Sequence, residues 1–251
     1  MKNRVFVFIL LSVLFYGCIN EKVDSSPYTL SDYLCENMEL TRGINVIACA
    51  GGKEGGLFEN DDSNTSLFFY PIENASNVQY FESNSSVINP TQEDYVINTP
   101  SSTPVFNGYL RKFNVASFTG EKWAVVTFET PGKIHVSDPI KIKTNTKPTE
   151  VNSALLTITE DNVQPTFNWD NGVIDENVIF FHVISELTGD LISGTYTTDQ
   201  NFTFYDLTNV VLNVSPGSPE LDTNSNYKFT LMGVSEDNWV NMISQQDFST
   251  N

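Results

Sequence analysis

Short apolar segments separated by polar turn residues follow one another along most of the chain. Between residues 66 and 143 these segments are SLFFYPI, VQYFES, DYVIN, NGYLRKFNV, KWAVVTFE and KIHVSDPIKIK. No window longer than two turns has helical periodicity, and residues 30–40 are the best candidate for a short helix. Several short strands at this spacing predict a β-sandwich or a barrel.

The segment ETPGK, residues 129–133, predicts a turn that joins two strands into a hairpin. After it, the apolar residues at 134, 136, 140 and 142 share one parity, while His135, Lys141 and Lys143 share the other. Because side chains alternate between the two faces of a strand, this pattern predicts a half-buried strand with His135 facing solvent.

The polar stretch TNTKPTEVN, residues 144–152, contains a proline and almost no apolar residues, which is typical of a link between domains. At about 100–200 residues per domain, 251 residues make one large or two ordinary domains. We therefore expect an all-β fold with two tandem immunoglobulin-like β-sandwiches, at 30–145 and 153–251, joined by a linker at 146–152. The nearly continuous apolar run at 177–185 predicts a strand that is covered on both faces.

The second half carries three aromatic and aliphatic positions with a recognisable spacing. Trp169 lies in the segment PTFNW, and Leu221 precedes Tyr227 by six residues. In these positions the chain resembles a fibronectin type III domain, although the insertion NVSPGSPELDT before Leu221 departs from the family. The resemblance implies a Trp in strand B and a Tyr that forms a corner with the loop before strand F. It also implies spacing or binding rather than chemistry.

The N-terminus has a short basic start, Lys2 and Arg4, followed by an apolar run at 5–16. This run is too short to span a bilayer and matches the apolar core of a signal peptide. With Phe15–Tyr16–Gly17 directly before Cys18, it resembles a bacterial lipoprotein signal peptide of the looser Bacteroidota type. The resemblance implies cleavage after residue 17, a lipid on Cys18, a tether at 18–29 and attachment to the outer membrane. An ordinary signal peptide with a chance cysteine is the alternative.

Three cysteines are an odd number for an exported protein. If Cys18 carries lipid, Cys35 and Cys49 remain, 14 positions apart. In an oxidising envelope we expect them to form a disulfide, and two small buried thiols are the alternative.

The charge balance excludes some partners and the motif search excludes common chemistry. The chain has 13 Lys and Arg against 31 Asp and Glu, a net charge of −18, which disfavours nucleic acid. Only two histidines occur, His135 and His182, and lone strand histidines are usually structural. Without a nucleophile elbow, HExxH or CxxC motif, we expect no enzyme and no resident cofactor.

One acidic constellation is a candidate ligand site. In a fibronectin-like sandwich the B–C and F–G loops meet at one end. These two loops hold Asp170, Asp175, Glu176, Glu236, Asp237 and Asn238, with Trp239 beside them. Such a cluster could hold a cation, with calcium the candidate, or stack a sugar ring on Trp239. The alternative is a solvated acidic rim with Trp239 packed on its own sheet.

Together these features predict a non-catalytic cell-envelope lipoprotein. We expect it to bind or present a ligand, either a glycan or an envelope protein, in the periplasm or at the cell surface. A purely structural or adhesive surface spacer is the alternative.

Overall fold

The computed structural model describes residues 26–52, 65–84, 86–159, 163–215 and 217–251. The predicted signal peptide, Cys18 and most of the tether lie outside these ranges. Within them, no helix is long and apolar enough to cross a membrane.

The described residues contain one α-helix, two short 3-10 helices and nineteen strands. In chain order they are α1 Leu30–Glu36, β1 Thr41–Arg42, β2 Ala48–Gly52, β3 Thr65–Phe69, β4 Ser76–Glu82, β5 Val96–Asn98, β6 Ser102–Val105, the 3-10 helix Phe106–Gly108, β7 Leu110–Val115, β8 Lys122–Thr130, β9 Lys133–Val136, β10 Ile140–Ile142, β11 Glu150–Val151, the 3-10 helix Ser153–Leu155, β12 Leu156–Thr159, β13 Thr166–Trp169, β14 Ile179–Glu186, β15 Leu191–Thr197, β16 Asn201–Thr203, β17 Val210–Asn213, β18 Asn226–Val234 and β19 Val240–Ser249. The predicted all-β sandwich architecture is confirmed.

The strands form four sheets, two from each half of the chain. In the first half, hereafter the N-terminal sandwich, one sheet has the order β1-β9-β8-β4-β5 with β10 also paired to β8, and the other has the order β2-β3-β7-β6. In the second half, the C-terminal sandwich, the orders are β11-β19-β18-β14-β15-β17 and β12-β13-β16. No strand pairing in these sheets joins the two halves.

Helix α1 begins where the sequence predicts a helix and ends at Glu36. Thr29 caps it, since the Thr29 hydroxyl accepts from the Asp32 N–H and the Asp32 carboxylate accepts from the Thr29 N–H. Its buried residues Leu30 and Tyr33 pack on the outer face of the larger N-terminal sheet. That sheet is therefore covered by the helix on one face and by the sandwich core on the other.

The predicted hairpin at 129–133 is confirmed, because Thr130 pairs with Lys133 across a two-residue loop in which Gly132 has φ 75°. The prediction that His135 faces solvent is wrong. His135 is 3% exposed, and its ring nitrogens contact the Thr130 hydroxyl and the Ile44 carbonyl oxygen, both at 2.9 Å. The reason is that β1 runs parallel beside β9 and leads into Gly43, where a Cβ atom would lie 2.1 Å from the imidazole.

The segment after this hairpin is two strands rather than one. β9 pairs with the far end of β8 and β10 pairs with its beginning, so residues 137–139 interrupt the alternation. Ile134 faces the helix side, whereas Ile140 and Ile142 lie in the core between the sheets. Parity counted through this interruption therefore assigns the faces incorrectly.

The C-terminal sandwich has an aromatic core in which Phe167 stacks on Phe229 with ring centroids 3.9 Å apart. Trp169 lies in β13 and is 4% exposed, as the fibronectin resemblance implies. The implied corner is also present, because the Asp222 N–H donates to the Tyr227 hydroxyl at 3.1 Å. His182 is buried beside the Thr195 hydroxyl, and burial lowers the pKa of His182 to about 3, so the ring is neutral.

The predicted disulfide is not formed in the structure. Cys35 lies on α1, outside the larger N-terminal sheet, whereas Cys49 lies in β2 of the other sheet. Fourteen positions of separation suit a disulfide loop, but the helix and β2 belong to different layers of the sandwich. Cys49 is 4% exposed in an apolar cluster with Phe68 and Met232, and burial raises the pKa of its thiol to about 12.

Candidate functional site

The hairpin between β18 and β19 connects the C-terminal sandwich to the N-terminal one. Its turn, residues 235–239, is hereafter the F–G turn. The Lys141 N–H donates to the Asp237 carbonyl at 2.8 Å, and the Ala50 N–H donates to the Asn238 carbonyl at 3.0 Å. The F–G turn therefore extends the backbone hydrogen bonding of the N-terminal sandwich at the edges of β10 and β2.

Trp239 is part of the N-terminal core. Its side chain is fully buried among the core residues of that sandwich, and its indole N–H donates to the Lys147 carbonyl at 2.8 Å. A ring with no exposed surface cannot stack a sugar, so the predicted ligand contact at Trp239 is wrong. The alternative, packing on its own sheet, is also wrong, since the ring enters the neighbouring sandwich.

Asp237 contacts one cationic neighbour, Lys143, and one neutral polar neighbour, Ser235. Its carboxylate forms an ion pair with Lys143, whose side chain is 9% exposed, and accepts from the Ser235 hydroxyl at 2.7 Å. Burial acts to raise the pKa of Asp237, but the hydrogen bonds from Lys143 and Ser235 and the charges of Lys143 and Lys141 together lower it. Asp237 is thus an ionised partner of Lys143 at the junction.

The acidic residues of the B–C loop do not converge on a cation site. Asp170 is exposed, and Asp175 accepts a hydrogen bond from the Asn171 amide. Glu176 pairs with Lys147, which lowers the pKa of Glu176 by hydrogen bonding and by charge. Within the part of the chain that the structure describes, no group of three or more His, Cys, Asp or Glu residues could hold a metal ion.

The linker is a structural part of the same junction. The Thr149 hydroxyl donates to the Val240 carbonyl at 2.8 Å and accepts from the Gly52 N–H at 2.9 Å. β11 then pairs with β19 in parallel. The linker therefore contacts both sandwiches along its length.

An open cleft of about 710 Å³ lies beside the F–G turn, between the two sandwiches. We refer to it as the junction cleft. Its lining residues are Asn89, Pro90, Tyr95, Trp123, Asp138, Pro139, Val178, Ile179, Val234, Ser235, Glu236, Asp237 and Asn238. The cleft combines an aromatic and aliphatic floor with polar groups, which is the usual composition of a ligand site.

Trp123 is the half-buried indole of the junction cleft. Its N–H donates to the Ile88 carbonyl at 3.1 Å, and the Lys141 ammonium lies 5.6 Å from the ring centroid. These two contacts hold the ring in one orientation. A fixed, partly exposed indole is suited to stacking on an apolar ligand face.

Tyr95 is the buried polar group of the junction cleft. The residue is 3% exposed, and its hydroxyl has no hydrogen-bond partner among the described residues. Burial and the neighbouring Asp94 charge raise the pKa of Tyr95 to about 12, so the hydroxyl is protonated at neutral pH. Buried polar groups in proteins are normally paired, but the Tyr95 hydroxyl oxygen is itself buried, so it is not exposed to a ligand in the cleft.

A second, smaller cavity of about 60 Å³ lies between the sandwiches and is lined mainly by apolar side chains, among them Phe68, Leu110, Phe181 and Met232. Phe181 projects from β14 toward this cavity, whereas Phe180 and Ile184 project into the C-terminal core. The predicted covering of both faces of this strand is therefore confirmed.

Sequence reasoning found one wall of the junction cleft and missed the other. Glu236 and Asp237 belong to the predicted acidic constellation and line the cleft, whereas Tyr95, Trp123 and Asp138 were not predicted. The only local signal was Trp123 at the start of a strand on the parity that faces away from the sandwich core. The other lining residues come from separate elements of both sandwiches, so their convergence has no signature in the sequence.

No protein-family model matches this sequence, and no curated protein matches it. Among solved structures, a titin segment of domains A168 to A170 is 8% identical with a TM-score of 0.27, over 87% of this chain and 64% of that one. A two-domain fibronectin type III segment of chicken tenascin is 12% identical with a TM-score of 0.29, over 76% and 95% of the two chains.

A third similar structure is a Bacteroides ovatus protein, SGBP-B of a mixed-linkage glucan utilization locus, in complex with a mixed-linkage heptasaccharide. It is 14% identical with a TM-score of 0.23, over 80% of this chain and 45% of that one. The chain thus spans less than two thirds of the titin and Bacteroides structures. These similarities are too low to transfer a ligand or partner, and the sandwich architecture is supported by the chain's own strand pairing.

Proposed function

We propose that this chain is a non-catalytic, lipid-anchored protein of the bacterial cell envelope that binds a glycan in the junction cleft. The observation that carries the proposal is the fixed, partly exposed Trp123 indole in one open cleft. Asn89, Asp138 and Glu236 supply exposed polar side chains around it.

A sugar ring matches this set of groups. It has an apolar face of C–H groups, which packs on an aromatic ring, and a perimeter of hydroxyls that donate and accept hydrogen bonds. The Asn89 amide can donate to or accept from the sugar hydroxyls, and the Asp138 and Glu236 carboxylates can accept from them.

The junction supports a preformed site. The F–G turn contributes Glu236 and Asn238 to the cleft wall while Trp239 is buried in the opposite sandwich. The two walls therefore keep their spacing without a ligand. Preorganised walls reduce the entropy lost on binding, which suits capture of a dilute saccharide.

The anchor and the location belong to the same proposal. The lipobox-like residues before Cys18 support a lipid on that cysteine. Outer-membrane attachment, facing the periplasm or the exterior, would place the cleft where polysaccharide fragments occur.

A glycan screen with the full-length protein tests this function. Wild-type protein should bind at least one oligosaccharide saturably, and Trp123→Ala should reduce its affinity about tenfold or more, the scale of a lost aromatic contact. Tyr109→Ala, an exposed aromatic outside the junction cleft, is the matched control and should bind normally. A blank screen, or binding that Trp123→Ala leaves unchanged, would reject the proposal.

A structural spacer is the second candidate, and the docking of the F–G turn favours it. Trp239 and the Lys143–Asp237 pair fix the relative orientation of the sandwiches, which is what a stiff spacer requires. The two functions differ in one outcome. A pure spacer has no saturable ligand, and its activity does not depend on Trp123.

A further inference from the structure

The charges that line the junction cleft are all of one sign. Asp138, Glu236 and Asp237 are among its lining residues, and no Lys, Arg or His is. Two of the carboxylates, Asp138 and Glu236, are on exposed residues, one on each sandwich. The cleft therefore presents negative charge from both of its walls.

Only one of these carboxylates is neutralised. Asp237 pairs with Lys143. Glu236 makes no ion pair or hydrogen bond with the described residues, and Asp138 contacts only the neutral Asn45 amide, at 3.3 Å. Two uncompensated negative charges thus remain at the cleft.

The cations nearest to the cleft do not offset these charges. Lys141 lies against the Trp123 ring and forms an ion pair with Glu121 at 2.7 Å. Lys143 is committed to Asp237. Each of these two ammonium groups is already paired with a carboxylate. The net charge of the whole chain, −18, is also negative.

We infer that the junction cleft selects glycans that carry a protonated amino group over neutral glycans, and that it disfavours glycans that carry carboxylate or sulfate. This inference rests on the proposed function and specifies its ligand class. The Trp123 ring packs on the sugar face, and Asp138 and Glu236 receive the ammonium groups of the sugar.

The size of the preference follows from the exposure of the carboxylates. Exposed ion pairs contribute modestly, each changing affinity by up to about fivefold. Two such contacts should favour an amino sugar about five- to twentyfold at low salt. Since exposed charges are screened by added electrolyte, most of the preference should disappear at high salt, while the contribution of Trp123 should remain.

A set of matched ligands tests the inference with the full-length protein. Three β-1,4-linked hexasaccharides differ only in the group at C2, which is an amine, an acetamide or a hydroxyl, and an oligogalacturonate serves as the acidic ligand. Titration calorimetry at about pH 5.5 keeps the surface carboxylates ionised. The amine form should bind most tightly and the oligogalacturonate most weakly. Equal affinities, or preference for the acidic ligand, would overturn the inference and leave the proposed function intact.

Matched variants separate the cleft from general attraction to an acidic protein. Asp138→Asn with Glu236→Gln should abolish the preference for the amine, measured as the ratio of the affinities for the amine and hydroxyl forms. Asp247→Asn with Glu186→Gln changes the net charge equally at the far end of the C-terminal sheet, beside Lys228 and Tyr227. This control should keep the preference. If both double variants lose it equally, the attraction is global and the inference fails.

Different results would reject the preference for amino sugars and the glycan-binding function itself. If the broad screen finds a ligand without an amine and none of the amino sugars binds, the inference fails alone. If neither the screen nor the matched set yields any saturable binding, the glycan-binding function fails with it.

Discussion

The indole N–H of Trp239, at the tip of a hairpin of the C-terminal sandwich, donates a 2.8 Å hydrogen bond to the carbonyl of Lys147 in the linker. The same ring is fully buried in the core of the N-terminal sandwich. One side chain thus connects three parts of the chain. Its packing in the N-terminal core helps to fix the relative orientation of the two sandwiches.

Trp239→Ala should therefore destabilise the N-terminal sandwich, although the residue belongs to a strand pair of the C-terminal one. Emptying a core site of this size costs about 3–5 kcal/mol. Hydrogen exchange should show lost protection in β2 and β10, which contact the F–G turn. Trp169→Ala, a cavity of similar size inside the C-terminal core, is the control and should expose β13 and β16 first. The same exchange pattern in both variants would contradict this role for Trp239.

Asp237→Asn should destabilise the protein in a pH-dependent way. The pKa of Asp237 is lower in the folded state than the unfolded value of about 3.9. A lowered folded pKa means that the stabilisation is present above the unfolded pKa and is lost as the pH falls through the folded pKa. We expect a penalty of about 1–3 kcal/mol at pH 7, which shrinks below about pH 4. Urea unfolding across this range measures it, and Asp170→Asn on an exposed loop should show little penalty at any pH. A constant penalty for Asp237→Asn would refute the ion-pair assignment.

Tyr227→Phe should cost about 1–3 kcal/mol. The Tyr227 hydroxyl is the acceptor for the Asp222 N–H at 3.1 Å, so its removal leaves a backbone donor without that partner. Thermal melting of the full chain gives the change. Tyr109→Phe, on a residue that is 41% exposed, is the matched loss of a hydroxyl and should be nearly neutral. If the two variants melt alike, the corner does not stabilise the sandwich.

Cys49 should resist alkylation in the native protein. Its thiol is buried and its pKa is raised to about 12, so the reactive thiolate is scarce at pH 8. Mass spectrometry after iodoacetamide treatment should find Cys49 unmodified in buffer and modified in denaturant. Recovery of a peptide that joins Cys35 to Cys49 from protein never exposed to reductant would show instead that the disulfide forms in the cell.

Cys18→Ser should abolish lipid labelling. Cells supplied with labelled palmitate should label the wild-type protein and leave the variant unlabelled, because the cysteine sulfur is the predicted attachment atom. Stable anchoring needs more than one acyl chain, so the variant should also leave the membrane fraction. Cys35→Ser is the control and should label normally. Equal labelling of wild type and Cys18→Ser would reject the anchor.

Several elements could be predicted because each depends on residues close together in the chain. The hairpin at 129–133 needs only Gly132 between two strands, and α1 needs only Thr29 and Asp32 at its start. The corner needs Tyr227 a few residues after the backbone it contacts. Turn chemistry, capping and the alternation of strands act over a few residues, so the sequence alone determined these features and the all-β class.

The functional surface depended on tertiary structure. Whether Trp239 stacks a ligand or fills a core was decided by a contact with Lys147, 92 positions away in the chain. Whether Asp237 joins an acidic cluster or an ion pair was decided by Lys143 on the other sandwich. Periodicity states which residues share a face, but not which surface will cover that face. Only the docking of one sandwich on the other assigned Trp239 to a core and left Trp123 beside an open cleft.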